Sequence, residues 1–358
     1  MQHKRLLGST ALVSAGLFMS ASAEAQEARI GGIEVVLGGY TEFGGIYANK
    51  DTLQNEGDTQ NYLFFMDNEV FINANGATET GILYGSEIEL EVASGDVNST
   101  DAFVDEIGLF FSGNFGRIEL GKEDGAEDVM AINGNDAQAG TGGTDGDTRN
   151  LTPFVSEVPD TGDDTKATYF TPRVAGFQLG ASFVPNTNGT FTGTDNTSAT
   201  DNNPGEFKNV VGLGGNWVGV LGPADLTIAG TGILGNGQTG DTDDLRSWEA
   251  GALLGFGGFT LGGGFGQNTD ALEANFATVG LEYGFGAANV SVGWAFFDPD
   301  EGPTENFLVA SGDIGLLPGV TLKGDVSYND DDPNAEVTAT DTDSDPTWSG
   351  VVTVQLDY

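Results

Sequence analysis

The stretch that decides the fold is the C-terminal run from Trp348 to Tyr358, which reads WSGVVTVQLDY. Glycine and large apolar side chains take every second position, and the positions between them are mostly polar. Successive side chains of a β-strand point to opposite sides, so a repeat of two places these sets on opposite faces. The run therefore predicts a strand with one apolar face and one polar face.

The same alternation recurs toward the N-terminus. In residues 82–92, apolar side chains alternate with a ladder of three glutamates, Glu87, Glu89 and Glu91, and residues 62–74 repeat the pattern. Alternation alone also fits a soluble sandwich, in which each strand has one apolar face. A ladder of like charge and many glycines on the polar face instead favour the wall of a water-filled lumen, with the glutamates on that wall.

Counting alternating segments along the chain predicts an all-β protein. Its fold class is a transmembrane antiparallel β-barrel, with short turns at one rim and long polar loops at the other. A closed barrel pairs every backbone group without water, which is what lipid requires. The count gives sixteen strands, with fourteen or eighteen left open, at residues 34–48, 61–75, 81–93, 103–114, 116–122, 165–172, 176–184, 207–219, 223–234, 246–256, 259–267, 273–284, 288–297, 305–315, 320–329 and 347–358.

Composition excludes several classes of protein. The chain has 54 acidic and 12 basic residues, a formal charge of −42, no cysteine, and one histidine, His3. Disulfides, Cys/His zinc sites and any base or triad built on histidine are therefore excluded as main devices, and we expect no enzyme. A chain this acidic is also a poor binder of nucleic acid, whose affinity comes mostly from Lys and Arg.

The N-terminus has the pattern of an export signal. Lys4 and Arg5 precede an apolar run, and small residues at Ala23 and Ala25 form a cleavage pattern. We expect residues 1–25 to be removed as a signal peptide, which leaves 26–358 as a single domain. The rival interpretation is an N-terminal membrane anchor, for which the apolar run is short.

Three short motifs carry a family resemblance. These are FGRIELGKEDG at 115–125, KATYFTP at 166–172 followed by VAGF at 174–177, and GGY at 38–40. With them, the chain resembles Gram-negative outer-membrane porins of the alphaproteobacterial general type. One departure is Tyr358, since phenylalanine is the usual last residue of that family.

The resemblance implies a function, a location and an assembly. It implies a sixteen-stranded homotrimer in the outer membrane, in contact with outer-membrane lipid, that passes small hydrophilic solutes by diffusion. It also implies that the third extracellular loop, about 123–164 here, folds into the lumen and forms the constriction. Acidic residues of that loop then become candidates for the constriction: Glu123, Asp124, Glu127, Asp128, Asp136, Asp145 and Asp147.

Alternation adds candidates on the lumen wall. Because Ile118 and Leu120 must face lipid, Arg117 and Glu119 are expected to face the lumen. Lys208 and Lys323 follow from the same argument. Similar porins oppose loop acids to a basic wall cluster; here the cluster is thin, and the excess of acids predicts a preference for cations.

Several alternatives stay open at this stage. The loop acids could simply solvate an extracellular surface. No cofactor is required, although Asp330, Asp331 and Asp332 repel one another and could bind calcium loosely. Two other functions compete with general diffusion: a substrate-selective channel, for example for sugars, and a β-rich surface adhesin or binding protein that forms no channel.

Overall fold

The protein is described by a computed structural model that covers residues 26–30, 32–49, 53–55, 58–93, 103–148, 157–162, 164–187, 207–238, 243–270, 273–300, 304–330 and 347–358. The 1–25 segment, for which we expect a signal peptide, lies outside these residues. Sixteen long strands dominate the described chain: β1 Ile33–Ala48, β2 Tyr62–Ala77, β3 Leu83–Ala93, β4 Phe103–Gly113, β5 Gly116–Lys122, β6 Thr165–Phe170, β7 Phe177–Asn186, β8 Phe207–Leu221, β9 Ala224–Gly237, β10 Leu245–Phe256, β11 Phe259–Asp270, β12 Ala274–Phe285, β13 Ala288–Pro299, β14 Glu305–Leu317, β15 Val320–Asn329 and β16 Thr347–Asp357.

The sixteen strands close into one antiparallel barrel. Each strand pairs with the next along the chain, and β16 pairs with β1, where Thr353 lies opposite Gly44. The last residue completes the closure: the main-chain N–H of Tyr358 donates to the Gly39 carbonyl at 3.0 Å, and Gly39 donates back at 2.8 Å. Closure leaves no long strand with a free edge. The predicted sixteen-stranded antiparallel barrel is confirmed.

Predicted and observed strand boundaries agree to within three residues. Two short features were not predicted. Gln26–Ile30 pairs with the first residues of β1, beyond the end of β16, and Leu53–Asn55 pairs with Asp58–Gln60 in a small hairpin. Segments of three to five residues are too short to show a repeat of two, which explains why the sequence pattern missed them.

The two rims of the barrel differ, as expected. One rim carries tight turns such as Gly257-Gly258, whose φ angles of 58° and 86° are left-handed and suit glycine in a two-residue hairpin. Long connections lie at the other rim, and the longest, 123–164, joins β5 to β6. The described part of that connection includes α1 Ala126–Val129 and the 3₁₀ turns Asn135–Ala137 and Gly143–Asp145. None of the helices in the described chain has the length and apolar character needed to cross a bilayer.

The apolar faces of the strands point outward. Phe64 is 70 % exposed and Val352 is 59 % exposed, whereas Val351, one position away, is 2 % exposed. An apolar outer surface of this extent suits contact with lipid. Two aromatic side chains of the strands face inward: Phe110 is buried, and Phe65 packs against the interior cluster formed with Ile46. Each is next in sequence to a phenylalanine that faces outward, and neighbouring residues of a strand point to opposite faces.

Candidate functional site: the lumen and its constriction

The connection between β5 and β6 runs along the inner face of the barrel. The main-chain N–H of Gly134 donates to the Thr278 hydroxyl at 2.8 Å, and that of Ala139 donates to the Ser291 hydroxyl at 2.8 Å. Thr278 belongs to β12 and Ser291 to β13. These contacts place the segment inside the barrel, and the expectation that the third loop folds into the lumen is confirmed. We call residues 123–164 the constriction loop.

Two wall carboxylates hold the tip of the constriction loop. The N–H of Gly140 donates to Asp313 Oδ2 at 3.2 Å, and the N–H of Thr141 donates to Asp325 Oδ2 at 3.2 Å. The Thr141 hydroxyl also donates to Asp325, and the N–H of Asp147 donates to that hydroxyl at 2.9 Å. The tip is therefore fixed to β14 and β15, across the barrel from where the loop begins.

A second set of contacts holds the beginning of the constriction loop. The Ser182 hydroxyl donates to Glu127 Oε2 at 2.6 Å, and Thr161, on the returning part of the loop, donates to Oε1 at 3.2 Å. The Lys166 ammonium donates to the carbonyls of Glu123 and Gly162. Glu127 is 1 % exposed, so its carboxylate binds the wall and the returning loop rather than facing open lumen.

An apolar cluster packs the returning part of the loop against the wall. Val158 belongs to one buried cluster with Val184, Val210, Ile233 and Phe276, all on the inner face. The N–H of Val158 also donates to Glu249 Oε2 at 3.3 Å. This side of the barrel is thus filled, whereas the inner-face acids Glu69, Glu89 and Glu119 on β2, β3 and β5 stay partly exposed.

The seven candidate acids of the loop lie in different settings. Glu127, Asp128 and Asp147 are buried, and Asp136 accepts the main-chain N–H of Asn133 at 2.8 Å. Asp145 is half-buried in the second 3₁₀ turn. Glu123 and Asp124 lie at the beginning of the loop, beside the acids of the wall.

The inner face of β1 to β5 carries carboxylates at successive strands. Tyr40 and Glu69 lie opposite each other in register, as do Glu69 and Glu91. Oxygens of Glu69, Glu89 and Asp105 lie within 4.8 Å of one another. We call these three residues the carboxylate cluster; of them, only Glu89 was singled out from the sequence. A register shift between Ile88 and Leu90 brings Asp105 to the group, and the sequence gives no sign of this irregularity.

Glu87 and Glu119 flank the predicted wall residue Arg117. The Arg117 guanidinium lies 3.5 Å from Glu87 Oε1, pairs with Glu119 and stacks on Phe110 at 4.1 Å from the ring centroid. Glu123 lies beside this group, with its carboxylate against Gly108. The pKa of Glu123 is raised to about 8, mainly by burial; the nearby charges of Glu87 and Glu119 contribute to this shift, and Arg117 opposes it.

The two predicted basic wall residues Lys323 and Lys208 lie in different settings. Lys323 Nζ donates to Glu42 Oε2 at 3.2 Å and to Gln355. Lys208 lies at the loop end of β8, where its Nζ donates to the Gln238 carbonyl at 3.1 Å. A register shift between Lys208 and Val211 interrupts the alternation there, so the argument that placed Lys208 on the lumen face does not apply at that position.

The candidate calcium ligands are only partly within the described chain. Asp330 accepts hydrogen bonds from the main-chain N–H of Asn306 at 2.7 Å and from its side-chain amide at 2.8 Å. Asp331 and Asp332 lie outside the described residues. The residues that hold the constriction loop, Asp313 and Asp325, were not singled out from the sequence, although alternation places both on the inner face.

Comparisons with known proteins agree with this architecture. A family profile described as Gram-negative porin matches residues 8–334, whereas no curated protein matches the chain. Among solved structures, a mutant of the Rh. blastica porin is 17% identical and covers 90% of this chain and 100% of its own, with a TM-score of 0.63. The anion-selective porin from Comamonas acidovorans is 17% identical and covers 91% of this chain and 100% of its own, with a TM-score of 0.64.

These structural likenesses concern the fold, and the profile match supplies the family. Neither the sugar-selective channel nor the adhesin without a channel is favoured by them. A closed sixteen-stranded barrel with an inward-folded third loop, together with a profile that spans most of the chain, leads to one conclusion: the chain belongs to the Gram-negative porin family, a family of outer-membrane channels.

Proposed function

We propose that this porin passes small hydrophilic solutes and ions by passive diffusion through a water-filled lumen and that it prefers cations. The observation that carries the proposal is the acidic inner face of β1 to β5, opposite the constriction loop. A shared fold does not set ion preference, since one similar structure is that of an anion-selective porin. The preference is therefore argued from the side chains that line the open lumen.

The charges on this face are unbalanced. The carboxylate cluster of Glu69, Glu89 and Asp105 adds to Glu91 and Asp67, the latter accepting the Tyr40 hydroxyl at 2.9 Å. Rings of Asp and Glu attract cations and raise their local concentration in a pore.

The basic residues of the wall do not offset these acids. Arg117 lies between Glu87 and Glu119, and Lys323 contacts Glu42. A cation already paired with carboxylates attracts passing anions weakly, because the nearest counter-charge is part of the wall. We therefore do not propose a basic wall opposite the loop acids, nor the transverse electric field that such a wall would create.

Neutralising part of the carboxylate cluster tests the proposal. In the double variant Glu69→Gln/Glu89→Gln, measured at alkaline pH so that these closely spaced carboxyl groups are ionised, we expect a clear loss of cation preference in the zero-current potential under a KCl gradient. At about 7 Å in water one unit charge is worth about 0.6 kcal/mol, roughly a threefold change in local ion concentration. Salt screens this effect, so the loss should shrink as salt concentration rises.

The matched control is Glu79→Gln, which removes one acid from the exposed turn between β2 and β3 and should leave the potential unchanged. If the double variant keeps the wild-type potential, the carboxylate cluster does not set ion preference. Uptake of neutral sugars by liposomes tests passive diffusion separately: wild-type liposomes should swell at rates that fall with sugar size.

We further propose that the barrel assembles as a homotrimer. Thr41 and Asn68 lie opposite each other on the outward face of β1 and β2. Polar side chains on the lipid side are unfavourable at membrane depth, and a neighbouring subunit would cover them. Unheated protein in detergent should migrate as a trimer, and substitution of Asn68 by leucine should alter trimer stability while monomeric barrels stay folded.

A further inference from the structure

Glycines line the inner wall where the constriction loop lies against it. Five of them come from four successive strands, β10 to β13: Gly251, Gly262, Gly264, Gly280 and Gly293. None has a left-handed φ angle, so backbone conformation does not require glycine at these positions. We call this group the glycine seat.

The space above the glycine seat is already occupied by the loop. A Cβ atom built on Gly280 would lie 2.1 Å from the carbonyl oxygen of Gly134, and one on Gly251 would lie 1.7 Å from that of Ile132. A Cβ on Gly264 would lie 2.7 Å from the Cβ of Asn133. Two of these three neighbours are main-chain atoms, which cannot move aside by rotating a side chain.

The adjacent glycine on β11 shows that only the inward-facing glycines lack room for a Cβ atom. Gly263 faces outward, between Leu261 at 46 % and Phe265 at 47 % exposure. A Cβ built there would have its nearest neighbour at 3.5 Å, an ordinary van der Waals contact. Gly262 and Gly264, on either side of it, face the loop.

We propose that the glycine seat sets the depth at which the constriction loop lies in the barrel, and thereby the free cross-section of the pore. The seat lets the main chain of residues 132–134 rest directly on the sheet, while Asp325 fixes the loop tip. A methyl group on Gly280 needs more than an ångström of additional room. The sheet is held by its closed ladder, so the loop is the part that must move, and it can move only toward open lumen.

The proposal rests on the proposed function, since the cross-section matters only if ions pass through the lumen. Single-channel conductance tests it in full-length protein, with Gly280→Ala and Gly264→Ala compared against Gly263→Ala. The two seat variants should conduct less than wild type, and the outward-facing control should match wild type. Seat variants that conduct as well as the control, or better, would overturn the proposal.

A distance measurement separates this proposal from the proposed function. The chain has no cysteine, so spin labels can be placed at two introduced cysteines, Asp136→Cys on the loop and Glu91→Cys on the facing wall. In the Gly280→Ala background the distance should shorten, whether or not the channel conducts, and an unchanged distance would refute the seat. Wild-type protein that does not conduct would instead count against the proposed function.

Folding is checked separately in each variant. In detergent gel electrophoresis, the shift of the protein band between unheated and heated samples reports whether the barrel has closed. If Gly280→Ala fails this check, Gly262→Ala is the milder substitution, since a Cβ there would lie 2.7 Å from the Asn133 carbonyl oxygen. The same comparison with Gly263→Ala then decides the proposal.

Discussion

Single side chains at the beginning of the constriction loop show how the lumen distributes its charge. Arg117 is paired with Glu87 and Glu119 and stacked on Phe110. Glu123 lies beside this group, among carboxylates that disfavour its ionised form. Alternation in the sequence puts Arg117 and Glu119 on one face of β5, and in the structure the two side chains form an ion pair. It could not show that Glu123 turns back against Gly108, because that contact depends on the path of the loop.

We expect Glu123 to make the proposed ion preference depend on pH. Its pKa is raised to about 8, so its carboxyl group is neutral below that pH and charged above it. Cation preference should therefore increase as the pH rises through about 8, and Glu123→Gln should remove that part of the increase. Zero-current potentials measured across this pH range check the prediction, with Glu79→Gln as the variant that should titrate like wild type. An unaltered titration in Glu123→Gln would contradict it.

At the scale of elements, strands and loop differ in how far the sequence predicts them. The run from Trp348 to Tyr358 specifies its strand because each residue's face follows from its position alone. The constriction loop has no repeat, and its contacts join residues far apart in sequence, such as Thr141 and Asp325. A bulge has the same effect on a strand: the shift after Lys208 cannot be read from alternation.

The loop tip offers a test that changes no charge. Thr141→Val removes the hydroxyl that donates to Asp325 and accepts from Asp147. Loss of a hydrogen bond to a charged group costs about 1.5–3 kcal/mol, so the tip should detach more often. We expect noisier single-channel current with an unchanged zero-current potential. Thr227→Val, at the turn end of β9, should keep the wild-type noise, and a quiet Thr141→Val channel would show that the tip needs no such anchor.

For the whole molecule, the structure shows where some of the acids behind the formal charge of −42 lie. Part of it lies on the inner face of β1 to β5, and other acids, including Glu127 and Asp325, hold the constriction loop in place. Composition shows the excess of acidic residues but not which of them line the lumen and which hold the loop. A carboxylate that accepts main-chain N–H groups looks the same in sequence as one that faces water. The lack of cysteine, the single histidine at position 3 and the closed barrel are all compatible with a passive channel.

The zero-current potential of wild-type protein in a planar bilayer under a KCl gradient tests the central claim most directly. Carboxylates that dominate the open lumen predict a potential whose sign corresponds to faster passage of K⁺ than of Cl⁻, and whose size falls as salt screens the wall. A potential of the opposite sign would contradict the account of ion preference, and a membrane that never conducts would contradict the channel itself.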